Sequence, residues 1–300
     1  FSPEGTDWGI VRDARGNRMS DDRGVVYLCI GRKHLALLAV SVRSLLKHWP
    51  GPVAFFADKE ALPFCDKILD VAGHGRLLPI EPQHRAYAVK PAIPALSPFS
   101  ETIQVDADTI WAGSPVGLFD MLTPQLFIVT SFGGWHSQGP RMQGRIEGWW
   151  DKDRERVQAA TAKPWPAINT GVVAYGSESP VAREAWLAET LRYSRVFMAD
   201  ETAAQLILPD YAERPDLMRV VGDSWNCSPR FGAEKDRAVV WHFHGHNKLG
   251  RLEEYRRLWE PEWQAAWKED WAGIRSWARQ GAKGWIEEYI QRTEGDPCGT

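Results

Sequence analysis

The sequence predicts an α/β fold with a mostly parallel central sheet and a helical, Trp-rich C-terminal tail. Three observations carry this. Short apolar runs at residues 25–30, 53–57 and 77–80 have strand length and are bounded by Gly, Pro or Asp. Between them lie segments with apolar residues at helical spacing, giving the strand–helix–strand order of a βαβ unit. The chain has 300 residues, 44% hydrophobic and 25% charged, which is enough to bury a sizeable core in one large or two small domains.

In chain order, residues 1–24 are polar and rich in Gly, Asp and Arg, and read as an extended arm. Val25-Val26-Tyr27-Leu28-Cys29-Ile30 reads as a buried central strand broken by Gly31. From His34 to His48 the residues Leu35, Leu38, Val42, Leu45 and Leu46 mark a helix, stopped by Pro50-Gly51-Pro52. Residues 53–57 form a second strand ending at Asp58. A helix over 62–71, a strand over 77–80 and a helix over 88–96 follow, with Lys90-Pro91 near the start of the last. The next strand, Thr102-Ile103-Gln104-Val105, ends in Asp106-Ala107-Asp108. A strand at 126–130 leads into residues 131–166, a stretch too long for a mere connection, which reads as a lid or binding loop. Residues 168–175 return to strand, 180–196 and 199–208 read as helices, and 239–244 as a last strand. From Leu252 the tail is helical, and Trp259, Trp263, Trp267 and Trp271, spaced by four, read as one packed stripe. The expected division is an arm at 1–24, a catalytic domain at 25–250 and a helical extension at 251–300.

Several function classes are disfavoured. A net charge of −3 gives no electrostatic case for nucleic acid or anionic membrane as the main partner. No run of eighteen apolar residues appears. Cys29, Cys65, Cys227 and Cys298 are scattered without a CxxC pair, which argues against a zinc knuckle or disulfide scaffold. The opening segment lacks the apolar run of a signal peptide, and a cytoplasmic protein with reduced thiols is expected. No GxGxxG follows the first strand, so a dinucleotide-binding domain is disfavoured.

Two stretches carry chemistry. Alternation along a strand puts Asp106 and Asp108 on one side of the backbone where it leaves the sheet. Two hard oxygen ligands there suit a divalent cation, which can neutralise a diphosphate. In His242-Phe243-His244-Gly245-His246-Asn247-Lys248 the same alternation puts His242 and His244 on one face. Neutral imidazole suits a borderline metal, and Lys248, past a Gly, offers a cation to phosphate oxygens. Read alone, this cluster also fits a metal hydrolase.

Asp106-Ala107-Asp108-Thr109, Trp165-Pro166-x-x-Asn169-Thr170-Gly171-Val172, Asp200-Glu201 and His242-Phe243-x-Gly245-x-x-Lys248 occur in the order seen in the glycogenin-like, family 8 glycosyltransferases, which the chain resembles from about Val25 to Gly250. The resemblance implies a GT-A fold, a nucleotide-sugar donor (a UDP-hexose such as UDP-glucose or UDP-galactose) held through Mn2+ or Mg2+, and transfer with retention. Carried over by position, Asp106, Asp108 and His242 would be the metal ligands. Gly245 and Lys248 would close over the diphosphate, with Lys90 near phosphate or sugar. Cys29, Ile30, Gly31 and His34 would lie against uridine and ribose, and Ala107 near the ribose. Asn169 and Asp200 would face the donor sugar. The chain departs from the family in having Asp200-Glu201 where Asp-Gln is common, and Leu249-Gly250 where Pro-Trp often follows the last Lys. The acceptor is left open among glycan, lipid-linked sugar, protein, small molecule and modified nucleobase, and so is a homodimer. An inverting GT-A transferase and a non-catalytic sugar-nucleotide or carbohydrate-binding protein are the alternatives.

Overall fold

The computed structural model describes residues 22–82, 86–140, 142–143, 146, 153–192, 198–244 and 253–266. Its strands are β1 (Arg23–Cys29), β2 (Val53–Ala57), β3 (Arg76–Pro79), β4 (Glu101–Val105), β5 (Thr109–Trp111), β6 (Phe127–His136), β7 (Pro166–Gly176), β8 (Met218–Val221) and β9 (Val240–His242). The longer helices are α1 (Leu35–Leu46), α2 (Leu62–Ala72), α3 (Arg154–Thr161), α4 (Trp186–Arg192), α5 (Ala199–Ile207) and α6 (Glu253–Ala266).

Seven strands form one sheet in the order β3-β2-β1-β4-β7-β6-β8, and β5 pairs with β9 in a separate ribbon. Only β7 runs against its sheet neighbours, and the other pairs are parallel. The parallel strands are buried on both faces, which is why they read as continuous apolar runs rather than alternating ones. Val25, Tyr27, Ile103, Val172 and Ala174 face one core with α1 and α2, while Val26, Ala54, Phe56, Ile93 and Phe99 face another. A third core joins Phe127, Val129, Val173 and Tyr175 to Trp186 of α4 and Ala203 of α5.

Helix α1 is buried along nearly its whole length, because β5 and α6 also lie against it. Its serines therefore need partners inside the core. Ser41 Oγ lies 3.0 Å from Tyr27 Oη and 2.7 Å from Thr109 Oγ1, and Ser44 Oγ accepts from the Trp111 amide at 3.0 Å. These contacts fix the short strand β5, which carries no large face of its own. Helix α6 docks on α1 through Glu262, which accepts from Arg43 (3.1 Å) and Lys47 (2.5 Å), and through buried Trp263. That burial agrees with a packed Trp stripe. The Trp259 side chain, Trp267 and Trp271 lie outside the described residues.

Three sequence expectations shift. The helix expected over 88–96 is three short turns, Ala86–Val89, Lys90–Ala92 and Ile93–Leu96, because Pro91 and Pro94 each remove a backbone donor. Residues 131–166 are not all loop: β6 continues to His136, and α3 starts from Asp153, which accepts from the Arg156 amide at 3.2 Å. The stretch expected as helix over 180–196 opens with a wide turn at Val181–Ala185 before α4, and 193–197 lies outside the described residues. No helix among the described residues is long and apolar enough to cross a membrane.

Candidate active site

The site lies where β4 ends and the β5–β9 ribbon begins. Asp106 and Asp108 stand where β4 leaves the sheet, in the turn between β4 and β5. The Asp106 amide donates to the Gly171 carbonyl of β7 (2.8 Å), and Thr109 Oγ1 donates to the Asp106 carbonyl (2.8 Å), closing the turn. Strand β9 pairs His242 with Thr109, and the Phe243 amide donates to the Asp108 carbonyl at 2.8 Å. His242 is thereby set beside both carboxylates: Nε2 is 3.2 Å from Asp108 Oδ1 and 3.9 Å from Asp106 Oδ2.

Among the described residues, Asp106, Asp108 and His242 form a group able to hold a metal ion, with one ligand atom from each within 4.8 Å of the others. Two carboxylate oxygens and one imidazole nitrogen make a mixed hard and borderline donor set, which fits Mn2+ or Mg2+. The imidazole meets the carboxylates with Nε2, while buried Nδ1 has no hydrogen-bond partner among the described residues. Gly171 explains the ring's seat. A side chain there would overlap His242 Cε1 and Nδ1 and come within 2.9 Å of Asn169 Oδ1. The glycine of the Asn-Thr-Gly motif is thus the floor under the histidine. His244 stays beside His242, as expected of the pair. It follows the end of β9, and its ring packs 4.8 Å from Phe132 and 5.3 Å from His242, centroid to centroid.

Behind the carboxylates lies Lys90, whose side chain is 8% exposed. Its Nζ donates to Asp106 Oδ1 at 2.6 Å and lies 3.6 Å from Asp200 Oδ2, which also accepts from Thr170 Oγ1 at 2.9 Å. Burial alone would lower the Lys90 pKa, but the charges of Asp106, Asp200 and Asp108 outweigh it and raise it, so the ammonium is held charged. Burial raises the Asp106 and Asp200 carboxyls, and Lys90 pulls both partly back. Burial also pushes Asp108 up, but attraction to His242, His34 and His244 and the contact with His242 hold it well below the usual range. With 36% of its side chain exposed against 5% for His242, Asp106 is the member that opens to solvent.

A second row supports the first. Asn169 Oδ1 accepts from the Gly171 amide (2.9 Å) and from Asn226 Nδ2 (2.9 Å), and Asn169 Nδ2 donates to Glu201 Oε2 (3.1 Å). Asn226 also donates to Thr130 Oγ1 at 2.7 Å. Asp200 and Glu201 occupy the first turn of α5, which is entered through Met198 in a left-handed conformation (φ 57°, ψ 42°). Asp200 therefore lies inside the first turn rather than at the N-cap, and its side chain is committed to Thr170 and Lys90.

The residues expected around the nucleoside lie at the end of β1 and just beyond β4. Cys29 is buried, and burial together with Cys65 and Asp58 raises its thiol pKa well above the usual value. Ile30 packs with the Val26–Phe99 core, and Ala107 against the core beside α1. The Gly31 amide donates to Asp58 Oδ2 at 2.9 Å, and the Asp58 Oδ1 atom accepts from the Ala61 amide at 2.9 Å. His34 directly precedes α1 and is close enough to act on Asp108. Gly245 and Lys248 lie outside the described residues. Sequence reasoning missed Asn226 and Thr130 altogether, since each is an isolated polar residue that only the fold carries to Asn169.

No protein-family model matches the chain, and no curated protein matches it by sequence. Solved structures do. The bifunctional glycosyltransferase WbbM superposes with a TM-score of 0.59 at 12% identity, over 87% of this chain and 52% of that one. The galactosyltransferase LgtC, in complex with donor and acceptor sugar analogues, gives 0.55 at 12% identity, over 84% of this chain and 99% of that one. The glycosyltransferase GlyE of Streptococcus pneumoniae TIGR4 gives 0.55 at 14% identity, over 85% of this chain and 63% of that one. The mixed, mostly parallel sheet and its flanking helices are those of the GT-A glycosyltransferase fold.

Proposed function

We propose that the chain is a metal-dependent, retaining glycosyltransferase that moves a hexose from a UDP-sugar to an acceptor hydroxyl. The observation that carries this reading is the convergence of Asp106, Asp108 and His242 at the end of β4, backed by buried Lys90. Asp106, Asp108 and His242 would hold the cation, whose positive charge favours the departing diphosphate. Lys90 keeps Asp106 ionised and aimed. Asp200, tied to Thr170 and Lys90, presents a buried carboxylate toward the same space, where it faces the donor sugar. Asn169, held at both poles of its amide, is fixed in one orientation beside it. The nucleoside lies against Cys29, Ile30, Gly31 and His34, with Ala107 at the ribose. Gly245 and Lys248 close over the diphosphate, an assignment that rests on the resemblance.

The test is a donor screen with manganese, reading nucleoside diphosphate release with and without candidate acceptors. Release from a UDP-sugar that stops on chelation supports the reading. Tight UDP-sugar binding without turnover under any acceptor would make the protein a binder, and an inverted product anomer would make it an inverting transferase.

A further inference from the structure

We infer that an aromatic wall built by Trp135 and Phe231 is the acceptor subsite and that it takes a pyranose ring, an inference that rests on the proposed transferase reading. Strand β6 follows β7 as far as Ser131, opposite Ile168, and the next pair is His136 with Pro166, so residues 132–135 bulge out of the ladder. At the bulge Gly133 takes a φ of +57°, and the Phe231 carbonyl fills the place where a side chain would begin. The bulge and the loop around Phe231 therefore lie flush against each other. That loop is itself pinned. The Phe231 amide donates to Ser228 Oγ (3.1 Å), and Asp223 accepts from the amides of Ala233 (2.7 Å) and Glu234 (3.2 Å).

The rings form a continuous series leading away from the metal ligands. His242 is 5.3 Å from His244, His244 is 6.1 Å from Phe231, and Phe231 is 5.0 Å from Trp135. Phe132 is buried beneath them, edge-on to Trp135 at 4.3 Å, while Trp135 and Phe231 stay partly exposed. The Arg230 guanidinium sits 4.8 Å from the Phe231 centroid and brings donors to the rim. Sheet order gives the wall its role. Strand β1, with the residues placed at the nucleoside, neighbours β4 on one side, while β6 lies on the other side beyond β7. The metal ligands sit between, so a group lying on the wall approaches them from the flank opposite the donor nucleoside. The angle between the rings argues against a planar ligand held between them. Trp135 and Phe231 meet at 51°, so no flat slot exists in which a planar base or aryl group lies against both. A pyranose rests its C–H face on one ring and turns its hydroxyls to the polar rim.

The experiment uses the full chain with magnesium and UDP. Saturation-transfer NMR measures binding of methyl pyranosides of glucose, galactose, mannose and xylose and of lactose, maltose and cellobiose, with adenosine and p-nitrophenol as planar probes. At least one pyranoside is expected to bind, with affinity about tenfold weaker in Trp135→Ala and Trp135→Leu and restored in Trp135→Phe. The UDP-induced rise in melting temperature should be unchanged in all three variants. Trp135→Leu keeps apolar packing if the alanine variant fails to fold. Binding of none of the pyranosides, equal binding in wild type and Trp135→Leu, or preference for the planar probes would overturn the inference. Absence of a UDP shift in the wild type would instead strike at the transferase reading, and the NMR result would still decide whether the wall takes a sugar.

Discussion

Gly171→Ala places a methyl group where the His242 imidazole already lies, against Cε1 and Nδ1. Ordinary carbon–carbon contact is about 3.5–4.0 Å, so the ring has to retreat by roughly 1 Å or more. Its backbone is fixed by the pairing of His242 with Thr109 and by the hydrogen bond its amide donates to the Cys227 carbonyl (2.9 Å), which leaves the side chain to absorb the shift. Overpacking of this kind costs about 1–3 kcal/mol, or roughly 2–6 °C in melting temperature for a chain of this size. Displacing an orienting contact of a metal ligand weakens metal affinity by about 10–100-fold. The assays are thermal unfolding and manganese titration, run on a double-mutant cycle with His242→Ala. Once the ring is gone, the alanine at 171 meets chiefly Asn169 Oδ1 at 2.9 Å, so most of its cost should vanish, leaving a coupling of about 1–2 kcal/mol. An additive cycle, or full manganese affinity in Gly171→Ala, would refute the account of this glycine as the seat of His242.

Three further outcomes follow from the same geometry. Single alanine changes at Asp106, Asp108 or His242, and excess chelator on the wild type, should each cut UDP-sugar turnover by orders of magnitude while circular dichroism stays unchanged; full activity in chelator would remove the metal from the reading. Lys90→Ala leaves buried Asp200 without its cation and should cost about 3 kcal/mol by urea unfolding at neutral pH, as broken buried pairs do. Burial already raises the Asp200 pKa, so its contribution to stability falls as pH climbs past the unfolded value of about 3.9, and the fall should be steeper in Lys90→Ala; parallel pH–stability curves would count against this. Burial pushes the Cys227 thiol up to about 12 and raises Cys29 well above its usual value, so neither should be alkylated by iodoacetamide at pH 8 until the chain unfolds, as peptide mass spectrometry will read.

The elements legible in the sequence were those with one local cause. Residues 53–57 are β2 to the residue, because an unbroken apolar run between Pro52 and Asp58 admits little else. The GT-A fold expected from four ordered motifs is the fold observed, and Asp106, Asp108 and His242 do come together. What stayed hidden depends on distant parts of the chain. Phe132 to His136 alternates poorly around Gly133-Gly134, and β6 continues there because β7 and the Phe231 loop hold it. Asn226 carries no motif and gains meaning only from Thr130 and Asn169. Nothing local marks the partner of Asp200: it lies in the first turn of α5, and only the fold brings its carboxylate to Lys90.

The pairing of β5 with β9 has a consequence for how the protein is made. Thr109 and His242 are about 130 residues apart, and closing a loop of that length costs about 4 kcal/mol of chain entropy. At about 5–20 residues per second, the ribosome delivers the two aspartates roughly 7–27 seconds before the histidine. Every strand of the main sheet is synthesised within that interval or before it. A nascent chain ending near Ala238 should therefore already resist protease while showing no high-affinity manganese binding, and through that wait the charge beside Asp106 and Asp200 is supplied by Lys90 alone among the described lysines and arginines paired with them. Competence for metal arrives with the last strand, as a single late event on a scaffold already built.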